Sequence, residues 1–244
     1  MTQQVVFFSS CLVEHIYPQV GLDSVALLEH CGFEVLFPKF QSCCAQPAYN
    51  SGAKGQAQEV AKQTIDLLSK YDLPVVVPSA SCADMIKKHF PLLMKEDSHH
   101  SMLAENLSER CFELIQFISP FLPSMNNEKE SIALHVSCSA QRGTKSEESW
   151  VTSLQNSGHV VEQPKYQNEC CGFGGTFSVK APEISSVMAE DKCKSLMALS
   201  PTFTSGDCGC LMHLNGYADK NKLALKGKHI VSILAERYGV SDAR

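Results

Sequence analysis

Twelve cysteines, at positions 11, 31, 43, 44, 82, 111, 138, 170, 171, 193, 208 and 210, are the residues with the most chemistry to offer. Their spacing repeats. A shift of 127 carries Cys11 onto Cys138, Cys43 onto Cys170 and Cys44 onto Cys171, and a shift of 128 carries Cys82 onto Cys210. Four cysteines thus recur in order with one residue of slippage, and Ser10-Cys11 matches Ser137-Cys138. An internal duplication, with one thiol set per half, is the simplest reading. Four soft, deprotonated sulfur donors suit tetrahedral zinc or an iron–sulfur cluster. Structural zinc sites use pairs two to four residues apart, whereas these pairs are adjacent, and neighbouring thiolates reach different irons of one cluster more easily than one ion. This spacing favours a polynuclear centre, with zinc and free redox thiols as the alternatives.

The elements around the cysteines explain how distant residues meet. Gln4 to Phe8 reads as a buried strand, Val20 to Cys31 as a helix stopped by Gly32, and Glu34 to Phe37 as a second strand ended by Pro38. Gln56 to Lys70 suits a helix and Pro74 to Val77 a third strand. The second half repeats the plan with strands at Ile132 to Val136, His159 to Glu162 and Thr202 to Thr204, and helices at Glu147 to Asn156 and Glu183 to Leu199. Apolar strands alternating with helices predict an α/β fold of two pseudo-repeated three-layer units with small parallel sheets. Ligands gather beyond the carboxyl ends of such strands, and every repeated cysteine follows a predicted strand. The stretch from about Phe90 to Glu130 has no counterpart in this repeat and is read as a helix, Met102 to Ile118, then a boundary run of Pro120, Pro123, Met125, Asn126 and Asn127. The units expected are residues 1–125, with an added helix, and 126–244.

The whole chain sets limits. Its 244 residues are 44% apolar and 19% charged, with a net charge of −5 and no basic stripe, which argues against a nucleic-acid partner. No apolar run has the length to span a bilayer, and the N-terminus lacks the pattern of an export signal, so a cytoplasmic protein is expected. Many thiols in a reducing compartment serve more often as ligands or catalytic groups than as disulfides.

Cys170-Cys171-Gly172, preceded by Cys138 and followed by Cys210, resembles the cysteine-rich CCG domain of the heterodisulfide reductases and related oxidoreductases. The similarity is nearer still to the iron–sulfur subunit of bacterial L-lactate utilisation complexes. It rests on Ser9-Ser10-Cys11-Leu12, on Val77-Pro78-Ser79 through Cys82, on Cys170 through Lys180 and on Cys210-Leu211-Met212-His213. The resemblance implies two cluster sites, Cys11, Cys43, Cys44 and Cys82 in one and Cys138, Cys170, Cys171 and Cys210 in the other. These would hold one or two iron–sulfur clusters of the [4Fe-4S] type. It further implies electron transfer within an NAD-independent complex oxidising L-lactate to pyruvate, beside a ferredoxin-like iron–sulfur subunit and a third subunit. Any attachment to the inner membrane face would then run through partners. Two departures matter. Where the heterodisulfide reductase version has a further cysteine three residues after the last, this chain has Met85 and His213, and Ala45 stands for the glycine after the first pair. Thiol/disulfide reduction is the alternative activity, which the missing cysteines oppose, and a zinc-binding scaffold is the alternative outside catalysis.

Other residues have plainer readings. Cys208, His213 and Met85 are candidates for additional donors. Cys31, Cys111 and Cys193 fall in predicted helices and read as small buried apolar residues. Gly172-Phe173-Gly174-Gly175 lacks the lysine of a phosphate loop and suits close backbone approach to a cluster. His99-His100 reads as a solvated loop and His89 and His135 as structural, with His15 the one histidine worth testing. Arg142 and Lys180 balance thiolate charge or attract a carboxylate. No acid–base pair stands out as a proton abstractor, so the catalytic residues of the reaction are unknown, and no flavin or nicotinamide fingerprint is present.

Overall fold

The computed structural model describes residues 3–125 and 129–241. Asn126 and Asn127 of the expected boundary run lie outside the described residues. The first half runs β1 Gln3–Phe7, α1 Cys11–His15, α2 Pro18–His30, β2 Phe33–Leu36, α3 Gln46–Asn50, α4 Lys54–Leu68, β3 Val75–Val77 and α5 Ala80–Asp84. A π-helical turn, Met85–His89, leads to α6 Phe90–Leu93, α7 Ser98–Glu109, β4 Cys111–Glu113 and α8 Leu114–Ile118. The second half runs β5 Glu130–Leu134, a π-helical turn Ser139–Thr144, α9 Glu147–Asn156, β6 His159–Glu162, α10 Phe177–Lys180 and α11 Pro182–Met197. It ends with β7 Thr202–Ser205, α12 Cys208–Lys220, β8 Lys226–His229 and α13 Ile230–Arg237.

Each half forms a four-stranded parallel sheet, ordered β2-β1-β3-β4 and β6-β5-β7-β8. Alternate strand residues face opposite sides, so both faces must be covered. Val6, Phe8, Val75 and Val77 pack outward onto Ala61, Ile65 and Leu68 of α4. Ala133 and Phe203 pack outward onto Ala189 and Leu196 of α11 and Leu214 of α12. The inward faces, Val5, Phe7 and Val76 from one sheet and Ile132 and Leu134 from the other, share one core with Leu27, Ile115, Trp150 and Leu234. The fold is therefore helix, sheet, helix, sheet, helix, and the two three-layer units share their middle layer of α2, α8, α9 and α13.

The duplication extends further than the cysteines suggest. The expected helix Met102 to Ile118 is broken by β4, whose residues pair in register with β3, Val75 with Cys111 and Val77 with Glu113. Cys111 therefore lies in a strand rather than a helix. Glu113 then turns the chain by capping α8, accepting from the backbone N–H of Ile115 at 3.2 Å and Gln116 at 2.8 Å. The fourth strand of the second half, Lys226–His229, is followed by α13 in the same way, so the region after Phe90 does have a counterpart in β4 and α8. Between β3 and β4 the first half carries additional helices, α6 and α7. His99 and His100 belong to α7 rather than to a loop, and His100 bonds the carboxylate of the N-cap residue Asp97 at 2.9 Å.

Candidate metal centres

In both sheets the first strand sits between the second and third, so the chain leaves β1 for one neighbour and returns to the other. The crevice between β1 and β3, and between β5 and β7, is the point where strand order reverses, and ligands bind there beyond the strand ends. Cys11 opens α1 directly after β1, and Cys82 lies in α5 directly after β3. Cys138 precedes the π-helical turn after β5, and Cys210 lies in α12 after β7. The adjacent pairs arrive on the loops after β2 and β6. The same three strand ends thus deliver one, two and one thiols in each half.

The thiols meet. Cys11 Sγ lies 3.9 Å from Cys43 Sγ, and Cys44 is within hydrogen-bonding reach of both Cys43 and Cys82. Cys171 Sγ lies 3.2 Å from Cys210 Sγ, and Cys170 bridges Cys138 and Cys171. Each set is a continuous chain of four sulfurs. Cys44, Cys82, Cys171 and Cys210 are buried, while Cys11, Cys43, Cys138 and Cys170 are half-buried, so each set has a dry inner end and a more open outer end.

The loops are held in place locally. Gln41 clamps the first, accepting from the Ser9 N–H at 2.9 Å and donating to the Phe7 carbonyl at 3.1 Å, and Thr64 donates to the Cys43 carbonyl at 3.2 Å. In the second, the Gly172 N–H donates to Cys170 Sγ at 3.4 Å and Ser185 donates to the Gly172 carbonyl at 2.8 Å. Gly172 has a φ of 91°, and a Cβ there would lie 2.7 Å from the Ser185 carbonyl oxygen. Ala45, after the first pair, takes the same left-handed turn at a φ of 64°.

Crowded thiols cannot all ionise. Hydrogen bonds from Cys11 and Cys44 stabilise a Cys43 thiolate and hold its pKa well below the usual thiol range. Cys11 and Cys44 are pushed up by those same bonds and by burial. Cys210 accepts from Cys171, but burial and the Asp207 charge outweigh that bond and carry it up to about 11. Without metal the raised thiols therefore retain their protons, and a cation bound there releases them. Lys192, buried at 2% exposure, points its Nζ at the Tyr166 carbonyl 2.8 Å away and offsets the charge of Cys170, Cys171 and Cys210.

The additional candidates have surroundings of their own. Met85 is packed in the outer core of the first half. His213 is taken up by Ser185, with its Nε2 3.1 Å from the hydroxyl. Cys208 starts α12 two residues before Cys210 and faces the central core rather than the outer one. Cys193 is buried in α11 and Cys31 caps α2, both raised to about 11 by burial. His15 lines an open groove with Cys11, Cys43, Phe37 and Phe40. His89 is held by Tyr49 at 3.1 Å. Arg142 is near enough to Cys138 to favour its thiolate, and Lys180 is exposed at the end of α10. The residue that sequence reasoning passed over is His135. It lies just past β5, 1% exposed, with a ring nitrogen within 4.8 Å of the sulfurs of Cys171 and Cys210. Burial holds it neutral, lowering its pKa to about 3.

A family model described as a cysteine-rich domain, CCG, matches residues 5–87 and again residues 132–215. The chain belongs to the CCG cysteine-rich domain family. Both matches span a complete thiol set, so this CCG chain carries the domain twice. It is 38% identical to Lactate utilization protein A of Macrococcus caseolyticus strain JCSC5402 over 95% of this chain and 96% of that one. It is 37% identical to Lactate utilization protein A 1 of Bacillus mycoides strain KBAB4 over 96% and 97%. Among solved structures, the glutamate racemase RacE1 of Bacillus anthracis is matched at a TM-score of 0.37 and 12% identity over 100% of this chain and 85% of that one, a likeness that carries no argument.

Proposed function

We propose that this CCG-domain chain holds an iron–sulfur cluster at each thiol set and carries electrons in a complex that oxidises L-lactate to pyruvate. The observation that carries the cluster reading is the chain of four sulfurs at the switch point of each sheet. Adjacent cysteines at the middle of each chain suit a centre with several metal atoms, and the buried inner thiols give it a dry wall. An iron–sulfur cluster would supply one-electron transfer at a potential set by charge, hydrogen bonds and exposure. The cysteines hold it, Gly172 and Ala45 turn the loop backbone away, and Lys192 offsets negative charge at the second set. The half-buried outer thiols, with the groove beside Cys11 and Cys43, leave an approach for an electron partner. A ferredoxin-like iron–sulfur subunit and a third subunit are the proposed partners.

The lactate assignment rests on the name shared by relatives that match almost end to end. Lactate oxidation yields two electrons, and two centres on one chain can take them singly. Thiol/disulfide chemistry is disfavoured because the position three residues after each final cysteine holds the packed Met85 and the Ser185-bound His213. Among the described residues no helix is long and apolar enough to cross a membrane.

Iron, acid-labile sulfide and zinc per chain, measured on protein purified without oxygen, test the cluster reading. Equal iron and sulfide with broad visible absorption is expected, and zinc without iron overturns it in favour of a structural metal scaffold. Growth of a host strain lacking the chain, with L-lactate as sole carbon source, tests the substrate. Failure to grow is expected, and normal growth would remove lactate from the account.

A further inference from the structure

The two thiol sets share a plan but differ in the residue that closes the inner end. At a shift of 127, His135 after β5 corresponds to Phe8 after β1. Phe8 is fully buried and packs in the outer core of the first half. His135 is as deeply placed, but neither Nδ1 nor Nε2 has a hydrogen-bond partner among the described residues. A buried polar group without a partner is costly, and its retention calls for an explanation. One lies beside it, since a ring nitrogen, Cys171 Sγ and Cys210 Sγ are all within 4.8 Å of one another, a spread that one metal atom can satisfy. The remaining imidazole near this set, His213, is already bonded to Ser185 and so is less free.

We infer that His135 supplies a nitrogen ligand to the metal centre of the second thiol set, whereas the first set, with Phe8 in that place, ligates through sulfur alone. The inference rests on the cluster reading of the thiol sets. A neutral imidazole joining the thiolates leaves the second centre less negative per donor than an all-thiolate site, and the buried Lys192 acts in the same sense.

Pulsed electron paramagnetic resonance of the dithionite-reduced full chain, purified without oxygen from cells fed either ordinary or ¹⁵N-labelled histidine, tests this. A nitrogen coupling of the strength of a directly bound ligand is expected, changing with the isotope, retained in His213→Gln and lost in His135→Phe. A chain with iron and sulfide but only weak nitrogen coupling or none, or with strong coupling intact in His135→Phe, overturns the assignment and leaves the cluster reading standing. A chain without iron overturns both. If His135→Phe does not fold, the isotope comparison on chains with His135 in place, with and without His213→Gln, still decides the matter.

Discussion

At the scale of single residues, the turn after each cysteine pair shows how much the site depends on backbone shape. Ala45 and Gly172 both lie in the left-handed region, at φ values of 64° and 91°. An L residue there costs roughly 1–2 kcal/mol, which glycine avoids. Gly172→Ala would add that strain to a Cβ placed 2.7 Å from the Ser185 carbonyl oxygen and 2.9 Å from Met188 Cβ. It is expected to lower the unfolding free energy by more than about 2 kcal/mol in urea titration. Ala45→Gly relieves the strain but removes a buried methyl and adds chain entropy, so it should stay within about 1 kcal/mol of the parent. The departure from glycine at position 45 was visible in the sequence, whereas the preserved turn was not. His135 was hidden for a related reason. A histidine next to an apolar strand looks ordinary until the third dimension shows that nothing among the described residues bonds it.

At the scale of elements, the helices that carry the last cysteine of each set are tied together through one carboxylate. Asp207 caps α12 by accepting from the Gly209 N–H at 3.3 Å, and reaches across to α5, accepting from the Ser81 N–H at 2.9 Å and the Ser81 hydroxyl at 3.2 Å. Asp207→Ala leaves buried donors unpaired and removes a cap, at a combined cost of roughly 2–4 kcal/mol. Thermal or urea unfolding would show the loss, and an effect below about 0.5 kcal/mol would contradict the role. Periodicity located most of the elements around the cysteines, and the helix Glu147–Asn156 matches to the residue. It failed at the fourth strands. Cys111-Phe112-Glu113 is too short to interrupt the apolar pattern around it, and Lys226-Gly227-Lys228-His229 at the sheet edge is polar where a buried strand would be apolar. Three residues of pairing and a capping glutamate decide β4, and neither leaves a strong mark in sequence.

At the scale of the molecule, the shared middle layer packs the two halves onto one core, with buried ionisable groups between them. Glu113 accepts from the indole N–H of Trp150 at 3.0 Å across this layer, and His229 is buried where the end of β8 meets the first half. Burial lowers the His229 pKa from 6.5 to about 4. Between those values the unfolded chain binds a proton that the native chain does not, so stability falls as pH drops from 6.5 towards 4, by up to about 1.4 kcal/mol per pH unit. Glu113, raised by burial to about 7, acts oppositely, favouring the folded state at low pH and losing that contribution as pH rises from 4.5 to 7. The His229 effect is therefore read as a difference. Urea unfolding at pH 5 and pH 7 should show a smaller loss on acidification in His229→Gln than in the parent, and equal losses would refute it. The proposed function puts one metal centre in each half, so the two should be lost separately. Iron and sulfide per chain in Cys43→Ser and Cys170→Ser, purified without oxygen beside the parent, decide this. Each variant is expected to lose roughly half of the bound iron and the double variant nearly all, whereas full iron in both single variants would contradict two thiol-held centres.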